Sequence, residues 1–279
     1  MNNPIYPALW FNGIAREAAE FYCSVFPNTT IKMENQFMVT IEISGQKFIF
    51  INGGPEFTIN PSISFFVVCE TEQELDHAWE MMLNGGSVLM PLNKYEWSEK
   101  YGWLEDKYGA NWQLSLGKME TTGQKITPTL MFSGNQNGNA EKAIQFYTSV
   151  FNNASVVGIL RYDNDPNEIN GHVKHAQFKL DKTVFMAMDS SLPHRFSFNE
   201  AISFVVECET QHEIDHYWEK LSAVPEAEAC GWLKDQFGVS WQIIPTVLQE
   251  LMNDRERAPR IIQAFMSMKK FNIEKILDA

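Results

Sequence analysis

Ile63-Ser-Phe-Phe-Val-Val-Cys-Glu-Thr-Glu-Gln-Glu-Leu-Asp-His-Ala-Trp-Glu80 returns, with few changes, as Ile202-Ser-Phe-Val-Val-Glu-Cys-Glu-Thr-Gln-His-Glu-Ile-Asp-His-Tyr-Trp-Glu219. Each copy reads as an apolar strand followed by Thr and, three residues on, Glu, the capping-box signature that opens a helix. Two further blocks repeat in the same order. Phe21–Phe26 recurs as Phe146–Phe151, and Gly102–Gly109 as Gly231–Gly238, so the three offsets are 125, 139 and 129 residues. A repeat of that length implies one domain duplicated and then altered in its loops, not a solenoid of short units.

Composition agrees with two domains. The chain has 279 residues, which fits two domains of about 100 to 150 residues with a core in each. A net charge of −13 and a sequence pI near 4.9 exclude a phosphate-binding surface, so neither nucleic acid nor an anionic membrane is expected as a partner. No apolar run reaches membrane-spanning length. Cys23, Cys69, Cys208 and Cys230 show no CxxC spacing and read as free thiols in a reducing compartment. Met1-Asn2-Asn3-Pro4 leads into a strand without a basic region or cleavage site, so a soluble cytoplasmic protein is expected.

Within repeat one, Pro7–Phe11 alternates as a strand, and Ala18, Phe21, Tyr22 and Val25 form the buried stripe of a helix. Three strand-like runs follow between Thr30 and Asn52, giving β-α-β-β-β. A second such unit begins at Ile63, with Leu75, Trp79 and Met82 as its helix stripe. The expected division is 1–120, a linker at 121–125, a second domain at 126–246, and a helical tail at 247–279 without a repeat counterpart. In that tail Ile261, Ile262, Phe265 and Met268 predict an amphipathic helix that packs back on a domain.

The paired units, and the strings LWFNG-AREAAEFYCSVFP, GWLEDKYGANWQL and GWLKDQFGVSWQI, resemble the PhnB-like (3-demethylubiquinone 3-methyltransferase-like) branch of the vicinal oxygen chelate superfamily, which includes glyoxalase I and bleomycin resistance proteins. The resemblance implies an α+β fold of tandem glyoxalase/bleomycin resistance-like domains, each of two βαβββ units forming a half-open barrel, with the site in the barrel cavity. It also implies metal-ligand positions in metal-dependent members. Those positions fall near Tyr6 and Thr127 on the first strand, at Asn52 and Asp189 ending the fourth, at Ser62 and Ala201 opening the fifth, and at Gln113 and Gln242 in the last, where the family pattern has Glu. Only Asp189 is ionic, so no metal is expected. The first strand is not followed by a GxGxG loop, so no S-adenosylmethionine site or other cofactor is expected.

Strand alternation turns Tyr6 and Trp10 away from the helix side of the first strand and toward the barrel. The expected ligand cavity comprises Tyr6, Trp10, Asn52, Ser64 and Gln113, with Thr129, Met131, His175, Asp189, Ser203 and Gln242 from repeat two. The alternative for Asp189 is a structural role at the Asp-Ser-Ser turn. His77 and His216 recur at one position, turned away from the buried stripe of a helix, and read as surface or helix-flank residues. No catalytic residue is assigned, because neither a serine in a turn motif nor a Cys–His pair is readable. Three readings stay open: a metal-free small-molecule binding protein, a metal-dependent lyase, isomerase or dioxygenase, and a structural module with one degenerate repeat. A small-molecule ligand, a pseudo-dimer within one chain and possible further homodimerisation complete the expectations.

Overall fold

A computed structural model describes residues 5–254 and 256–279; the leader-free reading of Met1-Asn2-Asn3-Pro4 lies outside the described residues. Repeat one runs β1 (Ile5–Phe11), α1 (Ala15–Val25), β2 (Thr29–Glu34), β3 (Met38–Ile43), β4 (Gln46–Asn52), β5 (Ile63–Cys69), α2 (Glu72–Leu83), β6 (Ser87–Tyr95), β7 (Ser98–Glu105) and β8 (Asn111–Leu116). After the short α3 (Met119–Thr122), repeat two runs β9 (Ile126–Ser133), α4 (Ala140–Val150), β10 (Ser155–Arg161), β11 (Val173–Leu180), β12 (Thr183–Ser190), β13 (Ile202–Cys208), α5 (Gln211–Leu221), β14 (Trp232–Lys234) and β15 (Ser240–Pro245). The tail forms α6 (Val247–Asn253), α7 (Ala258–Met266) and α8 (Ile273–Leu277). The fold is therefore α+β, with two tandem repeats and no closed barrel.

The last unit is shorter than the β-α-β-β-β expected of it. The repeat offset falls from 139 to 129 after α5, and the residues that remain form a 3₁₀ turn at Pro225–Ala227 where repeat one builds β6. One sheet consequently has seven strands and the other eight.

The sheets cross the repeats. The seven-stranded sheet has the order β14-β15-β13-β1-β4-β3-β2, and the eight-stranded sheet β10-β11-β12-β9-β5-β8-β7-β6. Antiparallel seams join them, β1 to β13 with Ile5 opposite Val206, and β5 to β9 with Ile63 opposite Leu130. Each half-open barrel thus takes one unit from each repeat. The reason lies in the core. Within a repeat the two units pack helix side to helix side, as Phe48 on β4 against Phe65 on β5 and Phe26 after α1 against Trp112 on β8 show, at ring separations of 5.5 and 5.2 Å. That packing leaves the free edges of β1 and β5 in different layers. Each edge is completed by the other repeat, which satisfies backbone groups that an open edge leaves unpaired.

The recurring sequence blocks are core devices. Asp106 and Asp235 are buried, and each accepts hydrogen bonds from a Tyr of the first helix of its repeat, an indole of its last strand and two backbone N–H groups. His77 and His216 donate to the carbonyls of Ser24 and Val150, at 3.2 and 3.0 Å, and tie the two helices of each repeat together. Thr71 and Thr210 cap α2 and α5 by accepting from Glu74 N and Glu213 N.

Candidate ligand-binding cups

Alternation along the strands sends one set of side chains into the cores and the other into the concave face of each sheet. The eight-stranded sheet holds a cavity of about 730 Å³, here called the hairpin cup because the β6–β7 hairpin stands at its margin. Phe66, Tyr101, Trp103, Gln113, Thr129, His175, Met186 and Met188 line it, from six strands of the two repeats. On its floor Gln113 Nε2 donates to Ser64 Oγ (2.8 Å) while Gln113 Oε1 accepts from the Tyr101 hydroxyl (2.8 Å). The amide is thereby fixed in orientation. Burial raises the Tyr101 phenol well above its ordinary pKa and pulls the His175 imidazole below its own, so both are neutral at neutral pH.

The wall carries aromatic surface with an unused donor. Trp97 is 55% exposed, stacks on Tyr95 at 4.9 Å and meets the edge of Tyr101 at 5.8 Å. Trp103 Nε1 is buried and has no hydrogen-bond partner among the described residues. A buried indole N–H without a partner costs about 1–3 kcal/mol, a deficit that a ligand acceptor would relieve.

The seven-stranded sheet holds a cavity of about 380 Å³, here called the tail cup because α6 and α7 lie across it. Gln242 Nε2 donates to Ser203 Oγ at 2.9 Å, the same pair as in the other cup. The residue equivalent to Tyr101 is Cys230. Tyr6 OH donates to Glu207 Oε1 (2.6 Å), and Lys47 Nζ both pairs with that oxygen (2.7 Å) and sits 4.2 Å from the Tyr6 ring centre.

The residues expected at a single cavity are divided by this arrangement. Ser64, Gln113, Thr129, Met131 and His175 lie on the hairpin-cup face, and Tyr6, Ser203 and Gln242 on the tail-cup face. Trp10 also faces that side, but it packs edge-on against Phe57 and Trp232 and donates to Gly54 O, beside the tail cavity and not within its lining. Asn52 and Asp189 point toward helices. Asn52 Oδ1 accepts from Ala15 N, while Asp189 accepts from Gly138 N, Ala140 N and Val173 N at 2.8, 3.1 and 2.9 Å, which holds the start of α4 to β11. Tyr101, Phe66 and Met186 in one cup, and Lys47 and Glu207 in the other, were not among the expected site residues. Glu207 carried a signal, since it interrupts an apolar run at the position where repeat one has Val68.

The donor set does not fit a resident divalent cation. Tyr6, Gln113 and Gln242 stand at cup positions that resemble ligand positions, both glutamine amides are held by serines, and His175, Asp165 and Glu96 in the hairpin-cup lining form no ligand group among the described residues. Asp189, the one ionic candidate, directs its carboxylate at backbone N–H groups. Among the described residues no group of three or more His, Cys, Asp or Glu side chains is placed to hold a metal.

A family model described as 3-demethylubiquinone-9 3-methyltransferase matches residues 3–115 and 124–244, once in each repeat. Among solved structures, a PhnB protein from Bacillus cereus is 36% identical over 40% of this chain and 98% of its own, with a TM-score of 0.38. Glyoxalase I from Zea mays is 11% identical, covers 91% of this chain and 97% of its own, and has a TM-score of 0.58, a likeness of fold alone. No curated protein matches the sequence.

Proposed function

This chain belongs to the PhnB-like 3-demethylubiquinone-9 3-methyltransferase family, within the vicinal oxygen chelate superfamily, and from that premise we propose that it is a small-molecule binding protein whose hairpin cup takes a planar ligand without a resident metal. The observation that carries the reading is the Gln113 amide, fixed by Tyr101 and Ser64 on the floor of a cavity of about 730 Å³ and flanked by the unpartnered Trp103 Nε1. A volume of that size with aromatic walls and a few oriented polar groups suits a compact organic molecule. Phe66, Tyr101 and the exposed Trp97 supply faces for stacking, and the Trp103 indole supplies a donor for a ligand oxygen. Superfamily chemistry that runs through a metal is not supported by the donors present. Both halves of each cup come from one chain, so the reading does not call for a second copy. Four free thiols accord with a reducing, cytoplasmic setting.

A thermal-shift screen with planar metabolites and divalent cations tests the proposal. Ligands should raise the unfolding midpoint in proportion to the logarithm of their concentration. Hits should weaken about tenfold in Gln113→Leu and Trp97→Ala, the effect of one lost hydrogen bond or stacking contact. A panel in which only metal ions shift the midpoint, or in which hits are indifferent to both substitutions, would overturn it.

A further inference from the structure

The β11 wall of the hairpin cup breaks the alternation expected of a strand. Phe178 and Ala176 face the core while Gln177 and His175 line the cup, as a period of two requires. Val173 should then face the cup, yet it is buried in the core with Ala176 and Phe178. The break is a β-bulge at Lys174. Leu160 of β10 stands opposite His175 and Arg161 opposite Val173, so two residues of β10 span three of β11 and Lys174 is left over. Two consecutive side chains, Lys174 and His175, consequently both line the cup. The equivalent strand of repeat one, β3, has no such break: Val39, Ile41 and Ile43 lie in the core, and Met38 and Thr40 line the tail cup.

The bulge directs a cation at the cavity. Lys174 is half-buried, and among the described residues its ammonium has neither an ion pair nor a hydrogen bond. A charge drawn partly out of water without a partner carries a desolvation cost that an anionic guest offsets. Beside it His175 is neutral, because burial pulls the imidazole below its ordinary 6.5, and supplies one N–H donor without a second charge. The other cation of the lining, Lys118, is exposed just after β8. Of the two acids, Glu96 is exposed in the turn between β6 and β7, at the opposite margin of the sheet from β11. Asp165 lies in the loop after β10, where its Oδ1 accepts from Asn167 N.

We propose that the ligand of the hairpin cup is a planar aromatic acid, its carboxylate taken by Lys174 and His175 on β11 and its ring by Trp97 and Tyr101 on the hairpin side. This rests on the reading of that cup as a small-molecule site and names the class of ligand it takes. One ammonium and one neutral imidazole N–H match the single charge and two oxygens of a carboxylate. An ammonium head would meet Lys174 as a like charge. The orientation also keeps the carboxylate on the β11 side, away from Glu96, and leaves the far edge of the ring to the Trp103 indole donor. The bulge belongs to repeat two alone, so the tail cup has no counterpart of this polar end.

Calorimetric titration of the full chain with naphthoate tests this, with naphthamide and naphthylmethylamine as neutral and cationic comparators on the same ring. Naphthoate should saturate one site and bind about tenfold more tightly than the amide, the effect of one charge-assisted hydrogen bond, with the amine weakest. Lys174→Met should erase most of that preference. Deletion of Lys174 should do the same in a folded protein, because it makes Leu160–His175 and Arg161–Val173 consecutive rungs and keeps Val173, Ala176 and Phe178 in the core. The inference fails, and the planar-ligand reading survives, if the amide binds as tightly as the acid or if the preference persists in either variant. Absence of saturable binding by all three compounds would overturn both.

Discussion

Tyr147→Phe should destabilise the protein by about 2 kcal/mol, because it deletes one buried hydrogen bond to a carboxylate and leaves the ring in place. The Tyr147 hydroxyl donates to Asp235 Oδ2 at 2.8 Å, Trp241 Nε1 donates to the same oxygen at 2.9 Å, and Phe237 N and Val239 N donate to Oδ1 at 2.9 and 3.0 Å. Tyr147 is fully buried, so water cannot replace the lost donor. Burial pushes the Asp235 carboxyl up to about 6 from 3.8, against the pull of these donors. A carboxyl raised in the folded state takes up its proton before the unfolded chain does, so its contribution is fully present below about 3.8 and is lost as pH rises through about 6. Removal of the tyrosine donor pushes the carboxyl higher still, and the cost of the substitution should therefore shrink as pH falls through that window. Tyr22→Phe, whose hydroxyl meets Asp106 at 2.6 Å, should behave alike, and the two losses should add because the networks lie in separate repeats. Urea unfolding followed by tryptophan fluorescence reads both, with an unchanged slope as the check that the transition is the same. A loss under about 0.5 kcal/mol in either variant would refute the claim that these carboxylates organise the cores.

Residues 1–124 expressed alone should self-associate, since β1 and β5 lose β13 and β9 and bare two strand edges; a monodisperse monomer by light scattering would contradict the exchanged sheets. His175 sits below its ordinary 6.5 because of burial, so the unfolded chain binds the proton first and stability should fall as pH drops below about 6.5; His175→Asn should flatten that slope in pH-dependent urea melts. Gly231→Ala should loosen the tail, because the new Cβ meets Phe271 at 2.5 Å and φ is +83°, with faster hydrogen exchange from Lys269 onward as the sign and a stability loss of about 1–3 kcal/mol.

Much of this was legible in the sequence. The repeated blocks around Ile63 and Ile202 gave the duplication and the strand–helix order, and period-two alternation set Tyr6 and Trp10 on the cup side of β1. The pairing of strands was not legible, because local patterns state which face of a strand is buried and say nothing about which edge of another strand completes it. That is why Gln113 and Gln242 could be aligned correctly as equivalents and yet be expected in company that the fold distributes over two cups. Asp189 was misleading for a related reason. As a lone acid at a ligand-like position it reads as functional, whereas the backbone N–H groups of Gly138, Ala140 and Val173 that converge on it come from segments far along the chain. The loss of ten residues after α5 was visible as a change of offset, but its result, a sheet margin met by Met268 and Lys269 of the tail, required the structure.

The seams β1–β13 and β5–β9 also separate ancestry from function. Each core descends from one copy of the duplicated segment, while each cup is a hybrid with one parent in either copy. Substitutions that reshape the hairpin cup therefore involve Ser64 and His175 together, and leave Tyr6, in the same copy as Ser64, on the face of the other cup. The two copies can remain twins in their cores while the two cups grow apart, and every specialising substitution is shared out across the duplication instead of being confined to one side of it.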